Sequence, residues 1–505
     1  MTSSQGRIRW FAFTIFLSSG LVMVLEIAAA RLIAPYLGVS LYTWTSIIGV
    51  VLAGLSLGNW LGGVWADRGA DNTEVGIVLV LSGITTLSVL LLLTWVAPLI
   101  LSASHDLLSA SVLLVGSLFF VPAFLMGIVM PLLMTLALSM DTRTGHIVGK
   151  MEAMAALGSI FGTFIAGFWL IQYFGTRIVL VSNAIILFIL AVPYLWNGRV
   201  LIKVYLVIAT LVASGLTYWR GGFLNPCDKE SQYYCIRVVD LSDEVAYGSA
   251  KGMVLDHLLH SINYRESPDV FISSYAHLMD ELVSQHFSGQ RDKLRYFFAG
   301  GGAYTQPRAI RLLWPDAVVD VAELDAAVTD VAEKQLWFKK EGVNIQHQDA
   351  RVALASKPGE SYDVIVGDVF HDITVPYHLV TVEYMDLIKS RLRSNGIYMM
   401  NIVDAYPDAR LLKSMYRTLK KPFNNVQIYL EKLPDKPERQ TYVIIAGDNL
   451  RQQQQVKATK GSSRSWLNVT AVILSSGTPV EELPLLTDDF SPVDRLINEL
   501  LLKKS

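Results

Sequence analysis

Before about residue 220 the chain is a succession of apolar runs, each long enough to cross a bilayer, and that confines this part to a bundle of helices. A crossing takes ~20 residues, and only a helix or a closed barrel satisfies its own backbone in hydrocarbon. Seven runs can be read, at about 10–34, 41–65, 75–100, 109–138, 148–172, 176–196 and 200–219. The first is too long, and too quickly followed by others, to be a cleaved signal peptide. Pro122 and Pro131 inside the fourth predict kinks there. The mean hydropathy of +0.40 is carried almost entirely by this part, and the remainder has an ordinary soluble composition. The expected fold is a multi-pass α-helical membrane domain over 1–222, partnered by the lipid bilayer, followed by a globular part. A net charge of −2 gives no support to a nucleic-acid partner.

The basic residues Arg7, Arg9, Arg68, Arg143, Lys150, Arg199 and Lys203 fall on one side of seven crossings, and Arg177 and Arg220 on the other. The positive-inside rule then sets the N-terminus in the cytoplasm and the globular part outside, and an error of one span would reverse this. Cys227 and Cys235 lie just beyond the last run. They would close a small loop in an oxidising compartment and stay free thiols in the cytosol. Two cysteines without clustered histidines give no zinc site, and no other metal site is expected.

Within the apolar part, Gly58 with Gly62 and Gly158 with Gly162 stand at a spacing that lets helix backbones approach closely. Glu26, Arg31 and Glu152 are ionisable residues within or at the ends of spans, suited to pairing between helices or to a polar path.

From about residue 230 the pattern changes. "YCIRVVDL" and "GMVLDHLLHSI" read as a small β-rich lead-in, with the first helix, over 223–290. Over 291–505, "KLRYFFAG", "AVVDVAEL", "VNIQHQ", "YDVIVGD" and "IYMMNIV" read as strands, with helices such as "PRAIRLLW", "AAVTDVAEKQLWF" and "EYMDLIKSRL" among them. Such alternation predicts a mostly parallel Rossmann-like sheet, of the class I methyltransferase type, with helices on both faces. The polar tract "RQQQQVKATKGSSRS" reads as a solvated loop.

In such sheets ligands bind beyond the carboxyl ends of the strands. There the chain offers Gly300, Gly301 and Gly302, then Glu323, then Asp349 with Ala350, then Asp368 and Asp372. Glycine permits a tight turn close to a ligand, and an acid about twenty residues further on suits a ribose hydroxyl. Together these strand ends predict a site for an adenosine-containing molecule.

The order "GGG", "ELD", "QDA", "D…D…P" resembles the spermidine synthase family, the polyamine aminopropyltransferases, over essentially all of 230–500. The resemblance implies that Glu323 binds the ribose of decarboxylated S-adenosylmethionine, used as co-substrate with no tightly bound cofactor. It implies that Asp349 and Ala350 hold the adenine, with the glycines and Pro376 completing the nucleoside side. Asp368 matches the proton acceptor, and Asp372 and Tyr275 match positions beside the amine of a polyamine such as putrescine. His371 stands three residues beyond Asp368, where the family has its second acid, while Asp372 and Pro376 keep the family's four-residue spacing, as one inserted residue would explain. Three positions depart from the family pattern. Ala303 stands where the family has an aspartate, Tyr234 where it has a nucleoside-contacting glutamine, and Ala276 where it has a polar residue that the adjacent His277 would replace.

The expected protein is therefore an aminopropyltransferase at the cell's inner membrane. Its soluble relatives imply self-association, and a donor made in the cytosol favours the cytoplasmic face for the globular part. The alternatives are a methyltransferase using S-adenosylmethionine itself, and a polyamine or nucleoside transporter with a sensing domain.

Overall fold

The computed structural model describes residues 4–69, 71–104, 106–196, 198–245, 248–288, 290–370 and 375–497. The chain forms two compact units, Met1–Pro226 and Cys227–Ser505.

Among the described residues of the first unit, seven helices are long and apolar enough to cross a membrane. They are α1 (Ser4–Leu37), α2 (Leu41–Asp67), α3 (Asn72–Ala103), α4 (Leu107–Leu138), α5 (Thr144–Phe174), α6 (Thr176–Leu195) and α7 (Val200–Trp219). The Ser40 side chain caps α2, and Asp71 with Glu74 forms a reciprocal capping box at α3. Such caps satisfy amides that the first helical turn leaves without partners. α4 continues through both Pro122 and Pro131. The spaced glycines serve close packing: a Cβ at Gly58 would lie 2.1 Å from the Phe124 carbonyl oxygen, and one at Gly158 2.0 Å from that of Phe16. Glu26 and Arg31 are half-buried and Glu152 is exposed.

The second unit opens with β1 (Lys229–Glu230), β2 (Cys235–Asp240), β3 (Ala250–Leu255) and β4 (Leu258–Tyr264), an antiparallel sheet in chain order. Cys227 and Cys235 are joined in a disulfide across this start, with their Cα atoms 5.3 Å apart. After α8 (Ser274–His286) come β5 (Arg295–Ala299), α9 (Thr305–Leu313), β6 (Val318–Ala322), α10 (Ala326–Gln335), β7 (Val343–Gln346), α11 (Ala350–Ala355) and β8 (Tyr362–Gly367). Then follow α12 (Val382–Arg391), β9 (Leu392–Tyr406), α13 (Arg410–Leu419), β10 (Asn425–Leu430), β11 (Glu438–Gly447), β12 (Gln455–Lys457) and β13 (Ser465–Asn468).

The larger sheet has the order β12-β13-β10-β11-β9-β8-β5-β6-β7. Its β7-β6-β5-β8-β9 section is parallel and the rest antiparallel. The parallel strands are covered on both faces, so β5 is aromatic throughout, with Tyr296, Phe297 and Phe298 all buried. β6 and β7 extend from one side of β5 and β8 lies on the other, so the strand order reverses between β5 and β8 and opens a crevice there. The polar tract expected to be a solvated loop instead supplies the β12–β13 hairpin. Trp466 on β13 is buried and hydrogen-bonds Ser274 at the start of α8, which holds this edge against the unit.

Candidate active site

The end of β5 and the end of β8 meet at Gly300 and Asp368. The Gly300 amide donates to the Ala322 carbonyl at 2.9 Å and the Asp368 amide to the Ala299 carbonyl at 3.0 Å, so both strands turn out of the sheet side by side. Gly300 has φ +92°, and a Cβ there would stand 2.3 Å from the Asp368 carbonyl oxygen. Only glycine fits both the backbone angle and the approach. Beyond it Tyr304 takes a left-handed φ of +56° and turns inward. Its ring stacks on Phe338 with centroids 4.1 Å apart, and its hydroxyl pairs with Thr329 Oγ1 at 2.6 Å. Ala303, at the position where the resemblance implies an aspartate, is fully buried. The helix beyond begins at Thr305, two residues before the run "PRAIRLLW", because proline is tolerated in a first helical turn.

The turn, Asp368 and α8 enclose a cleft lined by Tyr275, Ala276, Gly300, Gly301 and Asp368, with Ser261 and Gln306 among its polar walls. Tyr275 donates its hydroxyl to Asp368 Oδ2 at 3.2 Å and lies 3.3 Å from the His260 carbonyl oxygen. Asn401 makes a second side-chain hydrogen bond to Asp368. Burial pushes the Asp368 carboxyl up to about 6, against the opposing pull of the bonds from Tyr275 and Asn401. The same burial holds the Tyr275 phenol well above its ordinary value, so it remains a donor. It also pushes the His260 imidazole down to about 4, keeping that ring neutral at physiological pH.

Asn401 was not singled out in the sequence. It sits on β9 one residue after Met400, the register partner of Gly367, and therefore opposite Asp368. It is buried, and its Oδ1 has no hydrogen-bond partner among the described residues. The available signal was one amide side chain within the apolar run "YMMNIV".

Glu323 closes the β6 side of the turn. Its Oε2 accepts from the Gly301 amide at 2.8 Å and its Oε1 from the Asp325 amide at 2.9 Å. Burial raises its carboxyl, while the Asp325, Gly301 and Gly302 amides oppose that shift. Asp349 caps α11, with Oδ1 accepting from the Arg351 and Val352 amides at 2.9 and 3.1 Å. Its Oδ2 is 2.7 Å from His378 Nε2, a second partner that the sequence did not suggest. Ala350 begins α11 and is buried, and Pro376 precedes the single turn Tyr377–Leu379. Arg351 forms a two-pronged pair with Asp488, at 2.7 Å for each bond, so the "TDDF" segment anchors this corner.

One expected residue, His277, does not join this group. His277 faces away from the cleft into a buried cluster, 3.7 Å from Glu281 and edge-on to Trp466 with centroids 5.1 Å apart. One residue along a helix is a turn of about 100°, so His277 cannot share the direction of Ala276. It does not replace a polar residue there. Asp372 lies outside the described residues, as does His371.

An acid beside a glycine turn at a strand-order reversal, with carboxylates at the neighbouring strand ends, is the kind of crevice in which open α/β sheets bind ligands. Residues 300–457 match the family described as the spermine/spermidine synthase domain. This match covers the turn, Glu323, Asp349, Ala350, Asp368 and Asn401.

A polyamine aminopropyltransferase of Vibrio vulnificus (strain CMCP6) is 26% identical over 220 residues, which is 42% of this chain and 71% of that protein. A probable polyamine aminopropyl transferase of Bifidobacterium longum (strain NCC 2705) is 21% identical over 213 residues, or 39% of this chain and 47% of that one. Among solved structures, a probable spermidine synthase from Corynebacterium glutamicum ATCC 13032 is 19% identical, with TM-score 0.45, covering 52% of this chain and 97% of its own. The spermidine synthase from Thermotoga maritima is likewise 19% identical, with TM-score 0.35, covering 44% of this chain and 72% of its own.

Proposed function

We propose that the protein is a membrane-anchored aminopropyltransferase. It moves the aminopropyl group of decarboxylated S-adenosylmethionine to a polyamine acceptor such as putrescine and releases methylthioadenosine. The observation that carries this reading is the Asp368 carboxylate, held by Tyr275 and Asn401 beside the glycine turn and raised by burial to about 6.

An acceptor ammonium entering the cleft meets the Asp368 carboxylate, and the described polar side chains beside it, Ser261, Tyr275 and Gln306, carry no positive charge. Asp368 takes one proton from it, and the freed nitrogen lone pair attacks the propyl carbon next to the donor sulfonium. The carbon–sulfur bond breaks, its electrons go to sulfur, and the product is a neutral thioether. A base near neutrality suits this step, because it is deprotonated at working pH yet still basic enough to accept the proton. The Oδ1 of Asn401 supplies an acceptor for another N–H of the same amine. In this reading Glu323 takes the ribose hydroxyls, and the backbone at Gly300 and Gly301 leaves room for the sulfonium side of the donor. Holding both reactants in line supplies much of the rate.

The test uses decarboxylated S-adenosylmethionine carrying 13C in the aminopropyl chain. The label passes into the amine with wild-type protein and stays in the donor with Asp368→Asn, while both proteins bind methylthioadenosine equally. Transfer at the wild-type rate by Asp368→Asn would remove Asp368 from the mechanism.

A further inference from the structure

The disulfide loop is tied to the candidate site by a continuous run of hydrogen bonds. Ser231, at its centre, accepts from the Tyr233 and Tyr234 amides at 3.0 and 2.9 Å and donates to Asp325 Oδ2. Asp325 in turn caps α10 through the Ala327 amide at 2.9 Å and donates its own amide to Glu323 Oε1, also at 2.9 Å. Glu323 then receives the Gly301 amide at 2.8 Å. A second branch leaves the loop at Tyr234, whose hydroxyl donates to the Phe370 carbonyl at 3.3 Å, two residues past Asp368. Ser231 and Asp325 are both buried, so the bond between them is shielded from water. Such networks lose more on disruption than isolated surface bonds.

The far end of the loop is fixed independently of the disulfide. Cys235 begins β2, and its amide donates to Asp256 Oδ1 at 2.9 Å. The near end has the short β1 pairing of Lys229 with Ile236 and Glu230 with Cys235, and the Asp228 carboxylate receiving the Val238 amide. The disulfide closes these contacts into a ring of nine residues, Cys227 to Cys235.

We propose that Ser231 and Tyr234 are positioning residues, held by the Cys227–Cys235 loop. Ser231 sets the Glu323–Gly301 nucleoside grip, and Tyr234 sets the segment after Asp368 on the acceptor side. The assignment of the two sides rests on the aminopropyltransferase reading. The ring makes the site dependent on the disulfide, and breaking it weakens both grips together.

The chain has two cysteines, so dithiothreitol acts on this bond alone, leaving Cys227 and Cys235 as thiols and taking the disulfide into its own ring. The experiment compares oxidised and reduced full-length protein, with Ser231→Ala, Ser231→Thr and Tyr234→Phe alongside. Amide exchange without ligand reports on 323–327 and 369–370. Methylthioadenosine affinity, acceptor KM and kcat report on the site.

Reduction is expected to speed exchange in both segments, while β8 and β9 stay protected, and to weaken methylthioadenosine about tenfold, as for one charge-assisted hydrogen bond. Ser231→Ala should reproduce the nucleoside effect and Ser231→Thr restore it. Tyr234→Phe should raise acceptor KM and leave nucleoside affinity alone. Unchanged exchange in both segments on reduction would overturn the proposal, as would equal effects of both substitutions on nucleoside affinity and acceptor KM. If exchange responds as expected but the oxidised protein binds no nucleoside, the aminopropyltransferase reading fails while the mechanical link stands.

Discussion

The Tyr275 hydroxyl donates to Asp368 Oδ2 at 3.2 Å, and this one contact joins α8 to the end of β8 across the cleft. It comes from two distant parts of the sequence and fixes the carboxylate that the mechanism requires. Because the phenol stays protonated, the bond favours the ionised carboxylate. Tyr275→Phe should lower kcat/KM by about tenfold, and Asp368→Asn by at least ~100-fold, the range of a lost general base. Steady-state kinetics on the two variants checks this order of severity.

The pH dependence follows from the direction of the shift. Burial raises Asp368 to about 6, so its base form is lost as pH falls through that value. kcat/KM should be level above the limb and drop about tenfold per pH unit below it. Asn401 and Tyr275 each oppose the upward shift. Asn401→Ala should therefore move the limb to higher pH, and a limb unmoved or shifted downward would contradict the assignment.

Gly300→Ala places a Cβ 2.3 Å from the Asp368 backbone oxygen at a residue with φ +92°. Since backbone cannot swing away as a side chain can, the end of β8 must shift and carry the carboxylate with it. A loss of stability of about 2 kcal/mol or more is expected, from steric and left-handed strain together. Activity should fall further than nucleoside binding, which calorimetry and kinetics on the same preparation would separate.

Ala303→Asp restores the residue type that the family pattern has at this position, but not a grip on an amine. Ala303 is fully buried, and its carbonyl receives the Asn263 amide at 2.8 Å. A carboxylate set there without a partner should destabilise the protein by roughly 3 kcal/mol. The thermal midpoint should fall and the KM for putrescine should not improve. A lower KM at unchanged stability would show that the side chain reaches the cleft.

Sidedness can be predicted from the loops. Arg68, Arg143 and Arg199 sit in the α2–α3, α4–α5 and α6–α7 connections, whereas the α1–α2, α3–α4 and α5–α6 connections carry no Lys or Arg. With the α6–α7 loop cytoplasmic, α7 leads outward. The disulfide at the start of the second unit fits an oxidising compartment. Both point to the outer face for the globular part, the side opposite to the one that a donor made in the cytosol favours. In intact cells treated with a reductant, a membrane-impermeant maleimide should label Cys227 and Cys235, and labelling only after lysis would return the unit to the cytosol.

Much of the candidate site was legible because parallel strands put their chemistry at one end. Once "RYFFA", "VVDVA" and "YDVIVG" are recognised as strands, the glycines, Glu323 and Asp368 that follow them must lie at one sheet edge. Partners that come from other elements were not legible in this way. Asn401 is a single polar residue in an apolar strand, and its role depends on the register of β9 against β8. The Asp349–His378 contact spans a segment with no periodicity to fix its path. His277 is next to the cleft in sequence but turned from it by helical geometry. The β12–β13 hairpin has a loop-like composition because an edge strand needs few apolar residues, and only tertiary contact through Trp466 makes it a strand.

The central claim is the transfer of an aminopropyl group, and the nucleoside product tests it most directly. Purified full-length protein is incubated with putrescine and either decarboxylated S-adenosylmethionine or S-adenosylmethionine, and the products are identified by mass spectrometry. The account predicts methylthioadenosine and an aminopropylated amine from the first donor alone, both absent with Asp368→Asn. S-adenosylhomocysteine and a methylated product from the second donor would contradict it.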